Sequence, residues 1–353
     1  MQPTVHELLQ EDCDKVFNHF NNPSILKDLD GAAIFITGGS GFIGSWICEF
    51  LSYLKRHHDI KTKLYILARD KQRFESRTRH LENLDLEFIR CDVRHLAEIP
   101  RDVNYVIHAA ATPDNRFYMT NPLEAMTTIA EGTAAVLKAA DRVSDLRMMV
   151  YLSSGSVYGT QPENLQSIAE NHPLAAYSLD SVKSAYTEAK RYAEVLCASA
   201  RSELRLPVVV LRPFTFLGPF QSLDAPWAIN NFIQDGLMNR PIRVLGDGKA
   251  VRGFLYGADA AFWVLKALVS GTSGEVYNLG SGVGYTLEEI ARKVAQSFQP
   301  VQEIVLNASI VPNISQNRYL ADVSKLYRDF GLYQSTDLDA AIKRTVSWYK
   351  VSI

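Results

Sequence analysis

Residues Ile34–Ser45 read IFITGGSGFIGS. A short β-type run meets a cluster of glycines, and apolar residues then resume at helical spacing. Gly39, Gly41 and Gly44 stand in G-x-G-x-x-G spacing, and Gly38, Gly41 and Gly44 equally fit a G-x-x-G-x-x-G reading. In either reading the missing side chains let the backbone turn sharply and approach a pyrophosphate at the N-terminus of the next helix, with Phe42 and Ile43 beside it. Glycines alone mark a turn. A strand before them and a helix after them favour a dinucleotide site over a plain turn.

Outward from this turn, β-type runs alternate with helical patterns. AAIFIT (32–37), KLYILA (63–68), LEFIRCD (86–92), NYVIHAAA (104–111), RMMVYLSS (147–154) and LPVVVLRP (206–213) are the strand candidates. Most are continuously apolar, as parallel strands covered on both faces require. Helix-period segments lie between them, at 43–57, 122–142 and 181–204. The alternation predicts a Rossmann-type, doubly wound α/β sheet. Residues 1–30 read as an N-terminal helical extension and 31–213 as the Rossmann domain. Beyond Pro213 the elements shorten and turn signals multiply, which predicts a smaller, mainly substrate-binding lobe over 214–353, with about 250–285 returning to the Rossmann core.

The totals are those of a globular enzyme or binding protein, at 47% hydrophobic and 22% charged residues in 353. A net charge of −2 and the lack of any Lys/Arg block give no electrostatic case for nucleic acid or an anionic membrane. No apolar run reaches the roughly 18 residues that span a bilayer. The first residues lack the pattern of a secretory signal, so a cytoplasmic location is expected. Cys13, Cys48, Cys91 and Cys197 make no CxxC and read as reduced thiols, with no metal expected.

The strand after the glycine turn should end at the adenosine ribose, where an acidic residue favours NAD. Here Ala68 is followed by Arg69, which suits a 2′-phosphate and leans the reading to NADP, while Asp70 is also within reach of the ribose. Asp92, followed by Val93, is placed either to meet the adenine edge or to cap a helix. His108 reads as a strand-end residue with its hydrogen bonds satisfied. The small Ala109, Ala110 and Ala111 let a cofactor lie close to the backbone.

Tyr186 and Lys190, in SAYTEAKRYAE, share one helix face at i,i+4. A neighbouring ammonium and an oxidised nicotinamide stabilise a phenolate, so the tyrosine can act as a base near neutral pH. Alone the pair reads as solvated. It is, however, the only Tyr-x-x-x-Lys in the chain, and it follows the strand YLSSGSVYG (151–159), whose Ser154 falls on the carboxyl-end rim where open α/β sheets bind ligands. Tyr158 has no lysine four residues on and reads as structural.

These residues, with TGGSGFIGS, CDV, VIHAAA, NPLEAMTTIAEGT, SSGSVYG, YTEAK, LRPFTFLGP, VRGFLYGAD, YNLGSG and RYLADVSK, resemble the extended short-chain dehydrogenase/reductase family, of the nucleotide-sugar epimerase and dehydratase type. The resemblance runs from about Gly31 to Tyr349. It implies that Ser154, Tyr186 and Lys190 are catalytic and that Lys190 also bonds the nicotinamide ribose. It further implies that Arg252 and Arg318 meet the diphosphate or nucleotide of a nucleotide-diphosphate sugar. A homodimer built from the helices at 122–142 and 181–204 is implied as well.

Departures from the family pattern choose among reactions. The 4,6-dehydratases follow the equivalent of Ser154 with Asp-Glu, which supply the acid and base for water loss; this chain has Gly155-Ser156. Nucleotide-sugar decarboxylases keep a glutamate where Ser156 stands. Thr215 replaces a common substrate-binding Asn, and Ile129 an Asn before x-x-G-T, so recognition of the sugar ring does not carry over. The surviving chemistry is that of a 4-epimerase or 4-ketoreductase: Tyr186 moves a hydroxyl proton while hydride passes between the sugar carbon and NAD(P). The alternatives are a 4,6-dehydratase with acid and base from elsewhere, and a non-catalytic nucleotide-binding module.

Overall fold

The computed structural model describes residues 4–352 apart from 82, 113, 176, 179, 182 and 308–317. Two helices lead in, α1 (Val5–Phe20) and α2 (Ser24–Leu29). Thr4 caps α1 in a capping box with Glu7, so reciprocal hydrogen bonds satisfy the helix's first N–H groups. Six strands then alternate with helices: β1 (Ala33–Thr37), α3 (Phe42–His58), β2 (Lys63–Ala68), α4 (Lys71–Thr78), β3 (Asp85–Arg90), β4 (Tyr105–His108), α5 (Asn115–Thr120), α6 (Pro122–Ala140), β5 (Met148–Leu152), α7 (Ser184–Glu203) and β6 (Val208–Pro213).

The chain beyond Pro213 supplies β7 (Phe216–Leu217), α8 (Ala228–Leu237), β8 (Ile242–Leu245), β9 (Val251–Arg252), β10 (Leu255–Tyr256), α9 (Gly257–Ser270) and β11 (Val276–Leu279). Then come β12 (Tyr285–Thr286), α10 (Leu287–Gln296), β13 (Ile304–Asn307), β14 (Arg318–Tyr319), α11 (Ser324–Phe330) and α12 (Leu338–Ser352). Seven strands pair in parallel in the order β11-β6-β5-β4-β1-β2-β3. This is the doubly wound order, reversing between β1 and β4, and it confirms the Rossmann-type α/β expectation.

The pleat divides the core. Ile34 and Ile36 of β1 face an apolar layer shared with Trp46, Phe50 and Leu54 of α3, Phe262 of α9 and Leu9, Val16 and Phe17 of α1. Ala33 and Phe35 face the opposite layer, with Val136 and Leu137 of α6 and Ala193 and Cys197 of α7. Helix α1 is thus embedded in the first layer. Its buried Asp12 accepts from Tyr256 Oη at 2.7 Å and from Arg344 Nε at 2.7 Å, while burial pushes its carboxyl up to about 6. Strand β11 completes the main sheet, whereas β8 with β13, and β9 with β12 and β14, form small sheets of their own. Among the described residues no helix is long and apolar enough to cross a membrane.

Candidate active site

A cavity of about 930 Å³ opens at the carboxyl ends of the parallel strands and runs across the switch between β1 and β4. The glycine turn forms one end. Gly38 has φ +71°, and a Cβ there would stand 2.8 Å from the Ala109 carbonyl, so only glycine lets the turn lie against the end of β4. Gly38, Gly41, Phe42, Ile43 and Gly44 all line the cavity, at the opening of α3. The Thr37 hydroxyl ties this turn to its neighbour, accepting from the backbone N–H of both Ala109 and Ala110 at 3.2 Å. His108 lies behind, its Nδ1 2.7 Å from Thr37 Oγ1 and its Nε2 3.0 Å from Thr133 Oγ1. Burial, with a contribution from Lys190, lowers its pKa to about 3, so it stays neutral and positions Thr37.

Arg69, Asp92, Val93, Ala109, Ala110 and Ala111 also line this end. Asp92 caps a short 3-10 turn through Arg94 N–H and is gripped by the Arg94 guanidinium at 2.8 and 2.9 Å, which holds its carboxyl down near 2. Asp70 accepts from Arg73 N–H as the cap of α4 and does not line the cavity. Arg69, Arg73 and Arg77 do line it, so the wall at the end of β2 is cationic. These residues suit a dinucleotide: a backbone cradle for the pyrophosphate, small residues against the rings, and guanidinium groups at the ribose end.

Ser154, Tyr186, Lys190, Thr215 and Arg252 meet at the other end. Ser154 follows β5 and caps a 3-10 turn through Ser156 N–H at 3.1 Å. Tyr186 is 8% exposed and stacks on Tyr118 of α5, with centroids 4.9 Å apart. Burial pushes its phenol up to about 12, against a downward pull from the Ser154 hydroxyl. Lys190 is buried and donates to the Leu152 carbonyl at 2.7 Å, and burial lowers its pKa to about 7. Its ammonium lies 6.0 Å from the centre of the Tyr186 ring. The expectation that Lys190 holds the phenol down therefore does not describe the free protein, where desolvation dominates both groups.

Arg252 is partly buried and donates to its neighbour's carbonyl, the Val251 oxygen. Among the described residues it has no acidic partner, and burial lowers its pKa. Arg318 does not join it. In β14 Arg318 pairs with Val251 and Tyr319 with Arg252, and because neighbours on a strand point to opposite faces, Tyr319 faces the cavity. Sequence reasoning missed Tyr319, Phe214 and Tyr118. The first two stack at 4.6 Å and close over Gly155, where a Cβ would lie 2.4 Å from Tyr319 Oη and 2.9 Å from the Phe214 ring.

A buried network holds the floor. Glu194 accepts from Ser153 Oγ at 2.5 Å and from Arg212 at 2.7 and 3.0 Å; Arg212 also donates to Tyr158 Oη, which donates to Asn278. Tyr158 thus has a supporting place beneath the loop that carries Ser154. Asp92 and Asp114 are the carboxylates among the described cavity residues, and each is paired with an arginine two residues on.

Comparison with known proteins accords with this geometry. The chain is 26% identical over 326 residues to a UDP-N-acetyl-alpha-D-glucosaminuronate decarboxylase of Bacillus cytotoxicus, covering 89% of this chain and 97% of that one. It is 29% identical over 273 residues to UDP-glucuronic acid decarboxylase 2 of Arabidopsis thaliana, covering 76% of this chain and 58% of the relative's length. A UDP-glucuronic acid 4-epimerase from Bacillus cereus, solved with a fluorinated UDP-sugar and NAD, superposes with a TM-score of 0.77 at 24% identity over 91% of this chain and all of that one. At that identity the likeness is one of fold. The profile of the NAD dependent epimerase/dehydratase family matches residues 34–280, and the chain belongs to that family, as an enzyme of the extended short-chain dehydrogenase/reductase type.

Proposed function

We propose that this protein catalyses reversible hydride transfer at C4 of a nucleotide-diphosphate sugar, as a 4-epimerase or 4-ketoreductase that expels no water. One observation carries the reading. Ser154, Tyr186 and Lys190 converge at the cavity, while the space over Gly155, where a dehydratase-type acid would project, is filled by Tyr319 and Phe214. Tyr186 takes the proton from the sugar hydroxyl, or returns it to a keto oxygen, and Ser154 aligns that oxygen. A bound nicotinamide would accept or supply the hydride. In its oxidised form its positive charge, with that of Lys190, would bring the Tyr186 phenol down from the high value it has in the free protein. Arg252, a guanidinium without an acidic partner among the described residues, is matched to the substrate's diphosphate. The names of the curated relatives favour a second reading, decarboxylation after C4 oxidation. Ser156 in place of a glutamate weighs against it.

The cofactor favoured is NADP, because Arg69, Arg73 and Arg77 line the ribose end while Asp70 is engaged as a cap. Fluorescence titration should give tighter binding of NADPH than NADH, with the difference reduced in Arg69→Ala. Equal affinities in the wild type reject the preference. For the reaction, Tyr186→Phe should lower turnover by about 10²- to 10⁴-fold, the usual contribution of a positioned acid/base, with cofactor binding retained. Undiminished turnover in Tyr186→Phe removes the catalytic assignment.

A further inference from the structure

About two turns along α3 from the glycine turn, three side chains from three separate elements converge. His6 lies in the first turn of α1, Glu49 halfway along α3, and His80 just after α4. One ligand atom from each lies within 4.8 Å of the others. Glu49 is wholly buried. Its Oε1 pairs with His80 Nε2 at 2.6 Å, while its Oε2 has no partner among the described residues. Both ring nitrogens of His6 are also buried without a partner, and its ring lies 5.2 Å from that of His80. One turn further on the same face of α1, the Gln10 amide is likewise buried and unpartnered. Arg56 is near enough to act on both His6 and Glu49, yet forms no ion pair with Glu49 among the described residues.

A hydrogen-bonded His80–Glu49 pair accounts for one oxygen and one nitrogen of this cluster. It leaves His6 and the second carboxylate oxygen desolvated with nothing in return, an arrangement folded proteins rarely keep. A cation at the centre would take one nitrogen of His6 and a carboxylate oxygen of Glu49 together with His80. Two imidazoles and one carboxylate are a borderline donor set, which suits zinc and its neighbours, whereas calcium and magnesium take oxygen cages. We propose that His6, Glu49 and His80 form a structural site for a divalent first-row transition ion, which clamps the N-terminal helix to α3 and to the segment after α4. Water or the Gln10 carboxamide oxygen completes the coordination. To bind, the proton between His80 Nε2 and Glu49 Oε1 passes to His80 Nδ1 or to solvent, and the freed Nε2 lone pair turns to the ion. Spacing along the chain gives no sign of such a site, because each ligand comes from a different element.

The test uses the full chain, stripped with EDTA and titrated with zinc chloride by calorimetry, with metal content and melting temperature measured alongside. One zinc per chain is expected, with a rise in melting temperature. His6→Ala and His80→Ala should each bind at least about tenfold more weakly and lose the thermal shift. Cobalt(II) should give the visible absorption of a four-coordinate ion in the wild type and not in the variants. Far-UV circular dichroism and cofactor binding establish that the variants are folded. Should His80→Ala fail to fold, His6→Ala, changed near the start of α1, decides. Substoichiometric zinc in the wild type, zinc held equally well by His6→Ala, or binding without a thermal shift overturns the proposal.

Discussion

Lys190 sits wholly inside the protein with a carbonyl as its partner, and the cost of burying its charge should be measurable. Its pKa in the folded chain is about 7, against about 10.4 for an unfolded lysine. Between those values the unfolded chain binds more protons than the folded one, so this residue makes stability rise with pH across that window. Without cofactor, wild type should be least stable relative to Lys190→Met below about pH 7, and the gap should narrow towards pH 10 in thermal melts. A gap independent of pH would mean that the ammonium is not desolvated as described. Ser154, Tyr186 and Lys190 were all legible in the sequence, because the tyrosine and lysine share a helix face and the serine ends an apolar run. Tyr319 and Phe214 were not. They reach Gly155 from distant segments, and nothing local tells which of Arg318 and Tyr319 turns inward.

Helices α6 and α7 pack against each other and leave apolar side chains outward: Leu123 and Met126 on the first, and Tyr192 and Val195 on the second. Leu123 is 74% exposed and Val195 61%. This supports the homodimer read from the family resemblance, in which the same two helices of each copy form a four-helix interface. Tyr192→Asp together with Val195→Asp should give a monomer by light scattering where the wild type is a dimer. A wild type that is monomeric at micromolar concentration contradicts the interface. The long helices and the buried parallel strands showed in the sequence, since their periods run over enough residues to be read. The two-residue strands β7, β9, β10, β12 and β14 did not, because a pair of residues carries no period and long-range pairing alone defines them.

Taken whole, the molecule places a glycine cradle and a tyrosine–lysine helix at one rim of a single parallel sheet, and lets the chain beyond Pro213 close over them with Arg252, Phe214 and Tyr319. The N-terminal helices are built into the same apolar layer as α3 and α9. The sheet and the cradle follow from hydrophobic runs and glycine spacing. The closure over Gly155 follows from tertiary packing, and the proposal of hydride transfer without dehydration rests on it. The decisive measurement is the mass of the product formed from UDP-, dTDP-, GDP- and CDP-sugars, with and without NADPH. The product should keep the substrate's mass, as an epimer, or gain two hydrogens from NADPH when a 4-keto sugar is supplied. A product lighter by one water would contradict the reading of this site.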